Sequence, residues 1–229
     1  MIPGFPVYLF DVDGTLLDSA PDICGALHEA LRTAQADGVP DALLRRYIGR
    51  HLSDLFRDLF PLWPAERIEA IIQDYRTAYR ARGHAGTKLF PGVAEALSRL
   101  SGRKATATTK STASTVQVLE QFGLLGYFDH VQGTDGFPSK PAPEVIYRAL
   151  DALKARPEEC LFVGDSAADM EAGRRAGVSV CAVLYGYGDP QELARWAPDY
   201  WISDLRQLAD FAAEPAALST PARTSLDSI

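Results

Sequence analysis

Asp11 and Asp13, with Gly14 directly behind them, follow the apolar run Val7–Phe10 in the stretch VYLFDVDGTLL. Two carboxylates one residue apart at the end of a buried strand repel one another, and burial raises that cost, so the chain must supply compensating positive charge. Three further segments carry polar groups behind apolar runs: Thr108, Thr109 and Lys110 after ATAT, Lys140 in SKPAPE, and Asp165, Ser166 and Asp169 after CLFVG. If Asp11, Asp13, Asp165 and Asp169 converge, Lys140 alone cannot balance them. A hard divalent cation with oxygen ligands supplies the missing charge, and Mg²⁺, commonly held by one or two carboxylates plus substrate oxygens, is the expected cofactor. Gly14 would let the backbone approach an anion closely, with N–H groups at the turn bonding its oxygens.

Convergence requires elements that all end on one side. From about Phe90 onward, short apolar runs alternate with helical periodicity. GVAEALSRL, TVQVLEQFG and PEVIYRALDAL each place apolar residues on one helical face, and Gly123 is a plausible residue just past a helix end. Between them lie the strand candidates ATATT, FDHVQ, CLFVG, VSVCAVL and YWI. This alternation predicts an α/β fold, a Rossmann-like core with a mostly parallel sheet flanked by helices, whose ligands bind beyond the carboxyl ends of the strands. Residues 17–88 read as helical only, from a start at Ser19 and Pro21 to a stop at Gly83, and predict an inserted all-helical domain. The expected division is a discontinuous core of residues 1–16 and 89–212, the insert 17–88, and a small, polar, Pro-containing tail 213–229 that is expected to be disordered.

Composition narrows the class of partner. The 229 residues are 47% hydrophobic and 23% charged with a net charge of −7, and no Lys/Arg block stands out, which excludes the electrostatic footprint of a nucleic-acid binder. No apolar stretch reaches the length of a membrane span, and the N-terminus lacks the basic region of a signal peptide. The three cysteines, Cys24, Cys160 and Cys181, are scattered and odd in number, which fits buried thiols in a reducing cytoplasm. A monomer is the default expectation, with a dimer as the alternative.

The four motifs, taken in order, resemble those of haloacid dehalogenase superfamily phosphatases: DVDGT, Thr108 in ATTKS, Lys140 in SKPAPE, and VGDSAADMEAGRRAG. The phrases FPGVAEAL and GYGDPQEL are similar to those of phosphoglycolate-phosphatase-like members, and the helical insert stands where such members carry a cap domain. The resemblance spans roughly residues 5–210. It implies Asp11 as the nucleophile that takes the phosphoryl group, and Asp13 as the acid for the leaving alkoxide and then the base for water. It also implies Thr108 and Lys140 as contacts to the phosphoryl oxygens, with Lys140 neutralising Asp11. The implied metal ligands are the Asp11 side chain, the Asp13 backbone carbonyl and Asp165. Asp169 would hold a metal-bound water or cap the following helix, and a role for Ser166 stays open.

Two points bear on substrate. Thr109 stands where similar members usually have asparagine, and its hydroxyl donates one hydrogen bond but cannot span as an amide does. In RRYIGRHLSDLF, Arg50 and His51 follow Gly49 where similar caps aim side chains at the leaving group, and Arg50 suits a distal carboxylate or second phosphate through a forked contact. Phe56, Phe60, Trp63, Tyr75 and Tyr79 are expected to form the insert's own core. The expected activity is Mg²⁺-dependent hydrolysis of a small phosphorylated metabolite, 2-phosphoglycolate by resemblance, through an aspartyl-phosphate. A phosphomutase, a pyrophosphatase or a nucleotidase would use the same residues.

Overall fold

The computed structural model describes residues 2–212; the predicted disordered tail lies outside the described residues. In chain order the elements are β1 (Val7–Phe10), β2 (Leu17–Asp18), α1 (Ala20–Thr33), α2 (Asp41–Arg45), α3 (Leu52–Leu59), α4 (Ala65–Arg82), β3 (Lys88–Leu89), α5 (Val93–Arg99), β4 (Arg103–Thr106), α6 (Thr112–Gln121), α7 (Glu144–Leu153), β5 (Cys160–Gly164), α8 (Ala167–Ala176), β6 (Ser179–Val183), α9 (Pro190–Ala194), β7 (Tyr200–Ile202) and α10 (Arg206–Ala212).

Five strands form one parallel sheet in the order β4-β1-β5-β6-β7. A parallel sheet covered on both faces reads as continuous apolar runs, and all of VYLF in β1 and CLFVG in β5 is buried. Alternation splits β1 between two cores: Val7 and Leu9 pack with Ile146, Leu150 and Phe162, whereas Tyr8 and Phe10 pack with Leu97, Leu119 and Val163. With all strands parallel, Asp11, Thr108 and Asp165 follow three neighbouring strands out of the same edge.

One expected strand differs. FDHVQ runs beside β4 but makes only an isolated bridge, Ala105 to His130. Backbone bonds such as Asp129 N–H to Lys104 O (2.8 Å) persist, but polar side chains take over part of the ladder. Asp129 accepts from the Lys104 N–H at 2.8 Å, and the Thr106 hydroxyl both accepts from Gln132 N–H (2.9 Å) and donates to its carbonyl (3.0 Å). Side chains that bond backbone offer the chain an alternative to sheet pairing.

Helices α1–α4 share a separate core built from Leu27 and Leu31, Leu44, Leu55 and Phe56, and Ile68, Ile71 and Ile72. Gly83, at φ 58°, closes α4 as expected, and Gly123, at φ 69°, follows α6. Ser19 does precede α1, but its hydroxyl makes no cap bond and is buried without a partner among the described residues. The helical block connects to the sheet through a two-stranded antiparallel ribbon, in which Leu17 faces Leu89 and Asp18 faces Lys88. No helix among the described residues is long and apolar enough to cross a membrane, and all three cysteines are free and buried.

Beside the ribbon, buried Asp22 of α1 ties the far end of the block back to its start. It accepts from Arg82 Nε (3.2 Å), Gly86 N–H (2.9 Å) and the Thr87 hydroxyl (2.7 Å). An amide in its place would set one oxygen and one NH₂ against three donors. We therefore expect Asp22→Asn to lower stability by about 3 kcal/mol, read from the midpoint of urea unfolding; an unchanged midpoint would mean that the three bonds are dispensable.

Candidate active site

Asp11 leaves β1 at its carboxyl end, 1% exposed, with its N–H bonded to Val163 O of the neighbouring strand at 2.9 Å. Neither of its carboxylate oxygens receives a hydrogen bond among the described residues. Lys140 Nζ lies 2.8 Å from Asp11 Oδ1, an ion-pair distance without hydrogen-bond alignment, and donates to Asp169 Oδ1 at 2.5 Å and to Ala107 O at 3.0 Å. The ammonium also sits 5.4 Å from the centre of the Phe162 ring. Burial alone would pull the Lys140 ammonium down, but Asp11 and Asp169 outweigh it and hold its pKa above the usual lysine range.

Asp165 follows β5. Its Oδ1 accepts from the Thr15 hydroxyl (3.1 Å) and its Oδ2 from Tyr187 N–H (2.8 Å). Asp169 completes a reciprocal cap at the start of α8: its Oδ2 accepts from Ser166 N–H (2.9 Å) and Oγ (2.6 Å), while Ser166 Oγ accepts from Asp169 N–H. Asp169 thus both caps the helix and grips Lys140. Gly14 is required where it stands: at φ +92°, a Cβ there would lie within 2.2 Å of Asp165 Oδ2.

Asp11, Asp165 and Asp169 each offer an oxygen within 4.8 Å of the others. Burial pushes the Asp11 carboxyl up to about 6, against the pull of Lys140, and burial, with the charges of Asp169 and Asp11, pushes Asp165 well above the carboxylate range. These residues fit a hard cation: the donors are all carboxylate oxygens, Asp11 Oδ2 has no partner among the described residues, and like charges are crowded in one place. The Asp13 side chain is not in this cluster; its Oδ2 pairs with Lys110 Nζ at 3.1 Å and its buried Oδ1 has no partner among the described residues.

A cavity of about 410 Å³ lies between the sheet edge and the helical block, and Asp13, Thr109 and Lys110 line it from the sheet side. Thr108 is buried just behind, its hydroxyl 3.4 Å from Lys110 N–H. Arg50 and His51 line the cavity from the block, but the Arg50 guanidinium is engaged by Asp58 (3.4 Å) and by the Tyr47 ring, and His51 caps α3 through its ring nitrogen. Phe56 is in the helical core, and Phe60 and Trp63 stack at its edge; Tyr75 and Tyr79 pack there too, yet both also line the cavity. Tyr79 and Lys110 are the contacts that sequence reasoning missed. Lys110 stood visibly after a strand, but nothing local marks Tyr79, 31 residues earlier, as its partner.

The family model described as haloacid dehalogenase-like hydrolase matches residues 8–183. The phosphoglycolate phosphatase of Vibrio vulnificus is 34% identical over 215 residues, covering 88% of this chain and 93% of that protein. The phosphoglycolate phosphatase of Aquifex aeolicus is also 34% identical, covering 89% of this chain and 96% of its own. Among solved structures, a predicted phosphatase from Clostridium acetobutylicum superposes with a TM-score of 0.84 at 27% identity, covering 90% of this chain and 97% of that one. The chain belongs to the haloacid dehalogenase-like hydrolase family.

The raised carboxyl groups set a sign for pH dependence. A folded-state pKa above the unfolded value means that the metal-free protein loses stability as pH rises from about 4 through about 6. A divalent cation needs those carboxyls ionised. We expect Mg²⁺ to raise the melting temperature more at about pH 8 than at about pH 5, measured by thermal unfolding with and without chelator; equal shifts at both would rule out binding at these acids.

Proposed function

We propose that this chain is a Mg²⁺-dependent phosphatase that hydrolyses a small phosphomonoester through an aspartyl-phosphate on Asp11, with 2-phosphoglycolate as the favoured substrate. The observation that carries this reading is a buried carboxylate, Asp11, met among the described residues by the Lys140 ammonium at 2.8 Å and by no aligned hydrogen-bond donor. A buried carboxylate with so few partners is costly for stability and well suited to attack. The similarity to named phosphoglycolate phosphatases supports the substrate.

In this reading an Asp11 oxygen attacks phosphorus, and the bond from phosphorus to the ester oxygen breaks. Asp13, at the wall of the cavity, gives its proton to that leaving oxygen. After the alcohol leaves, Asp13 takes a proton from water as the water oxygen attacks phosphorus; the bond to Asp11 breaks, and inorganic phosphate and free Asp11 result. Lys140 neutralises Asp11 and meets the phosphoryl oxygens together with Thr108, while backbone N–H groups at the Gly14 turn approach closely. The Asp11 and Asp165 side chains and the Asp13 carbonyl would hold Mg²⁺, which offsets negative charge on the phosphoryl oxygens as it is transferred. Asp169 orients Lys140. Helices α1–α4, residues 17–88, act as the cap that closes over the leaving group, with Thr109 and Arg50 at its edge. The free thiols suit a cytoplasmic location.

Phosphate release from a panel of phosphomonoesters and pyrophosphate, with Mg²⁺ and with excess chelator, tests this. Release should need Mg²⁺ and peak on 2-phosphoglycolate, Asp11→Asn should reduce it to background, and Asp13→Asn should lower kcat by about 10²- to 10⁴-fold. Full activity of Asp11→Asn would sink the covalent route.

A further inference from the structure

Lys110 is a lysine in an unusual place. Its side chain is 9% exposed, on the loop behind β4, and it reaches across the cavity to α4. Nζ is 3.1 Å from Asp13 Oδ2, donates to the Tyr79 hydroxyl at 3.0 Å, and lies 4.6 Å from the centre of that ring. Burial would pull its pKa down, but the Asp13 carboxylate and the phenols of Tyr79 and Tyr75 leave it raised, so it is an ammonium. Tyr79 is held neutral by burial. Tyr79 accepts from Lys110, which leaves its own O–H, and one N–H of the three on Nζ, without an acceptor among the described residues. At the cavity wall, Arg76 and Arg80 of α4 stand one turn apart, and their guanidiniums have no partner among the described residues.

We propose that Lys110 and Tyr79 form the subsite that reads the leaving group, selecting an alcohol that carries its own carboxylate. This rests on the phosphatase reading above. The argument is one of reach and of charge. Lys110 is in contact with Asp13, the residue that faces the leaving oxygen, so an anion can meet the ammonium only if it lies within a few bonds of that oxygen. A short hydroxy acid meets this requirement; a nucleoside does not. An ammonium and a phenol O–H converging on one point suit a carboxylate, which accepts on both oxygens. A neutral alcohol would leave both donors facing an uncharged group. Arg76 and Arg80 add positive potential at the entrance and draw in a polyanionic ester. Arg50, the residue the sequence pointed to, is paired with Asp58 at 3.4 Å.

The test compares kcat/KM for 2-phosphoglycolate and for 2-hydroxyethyl phosphate, the same ester with an alcohol replacing the carboxylate. The natural chain should favour the acid. Lys110→Met should shrink that preference by about 10- to 100-fold, the worth of a charged hydrogen bond, chiefly through KM for the acid. Lys110→Arg should restore part of it, and Tyr79→Phe, which keeps the ring, should shrink it by a smaller factor. If Lys110→Met and Tyr79→Phe slow both esters equally, Lys110 merely holds Asp13 in place and the proposal fails. A natural chain that hydrolyses both esters without preference also overturns it and leaves the phosphatase reading intact. Release from neither ester, nor from any other phosphomonoester, overturns that reading and this one together.

Discussion

Three carboxylates that repel one another, Asp11, Asp165 and Asp169, are held out of water with oxygens within 4.8 Å. Much of the surrounding structure answers to that repulsion. One ammonium, Lys140, is buried to meet two of them. The Ser166 N–H and hydroxyl both donate to Asp169 at the start of α8, the positive end of the helix dipole adding to the effect. Thr15 and Tyr187 N–H divide the oxygens of Asp165 between them. What is left over is Asp11, the acid with the fewest donors, and that is also the one proposed above as the nucleophile. A site that satisfied all three equally would be more stable and chemically inert.

The crowding reaches the backbone as well. Gly186 passes so close to Asp165 that a Cβ there would lie 2.2 Å from the Asp165 Cβ, just as one at Gly14 would meet its carboxylate. The loops behind β1 and β6 are therefore packed around Asp165 rather than merely near it. Tyr187 carries the contact outward: its N–H holds Asp165, while its hydroxyl donates to Asp18 (2.8 Å) and accepts from Ala20 N–H (2.9 Å). The acids and the ribbon that leads to the helical block are two residues' reach apart.

The parts of this arrangement that were legible in the sequence are those in which the signal is local. VYLF and CLFVG are buried strands because a doubly covered parallel sheet needs continuous apolar runs, and the acids follow each directly. Gly83 and Gly123 end helices because they stand at positive φ. FDHVQ misled because its apolar-polar pattern fits a strand, while Asp129 and the Thr106 hydroxyl, one of them on the neighbouring strand, take the bonds that pairing would use. The Lys110–Tyr79 contact was illegible for a related reason. Tyr79 has the helical spacing of a core residue, and it does pack in that core; that its hydroxyl emerges on the other side, facing Lys110, is set by how α4 lies over β4's loop.

The chain that leaves the sheet at Leu17 returns at Leu89 directly opposite. Seen from the sheet, everything between is a hairpin turn of unusual content. Its length enters no strand register, and any block whose ends meet in this ribbon leaves the strand order β4-β1-β5-β6-β7 as it is. Its links to the acids are side chains instead, Tyr187 meeting Ala20 at its root and Lys110 meeting Tyr79 on its last helix, so a change of content is felt at the site through two residues rather than through the strands.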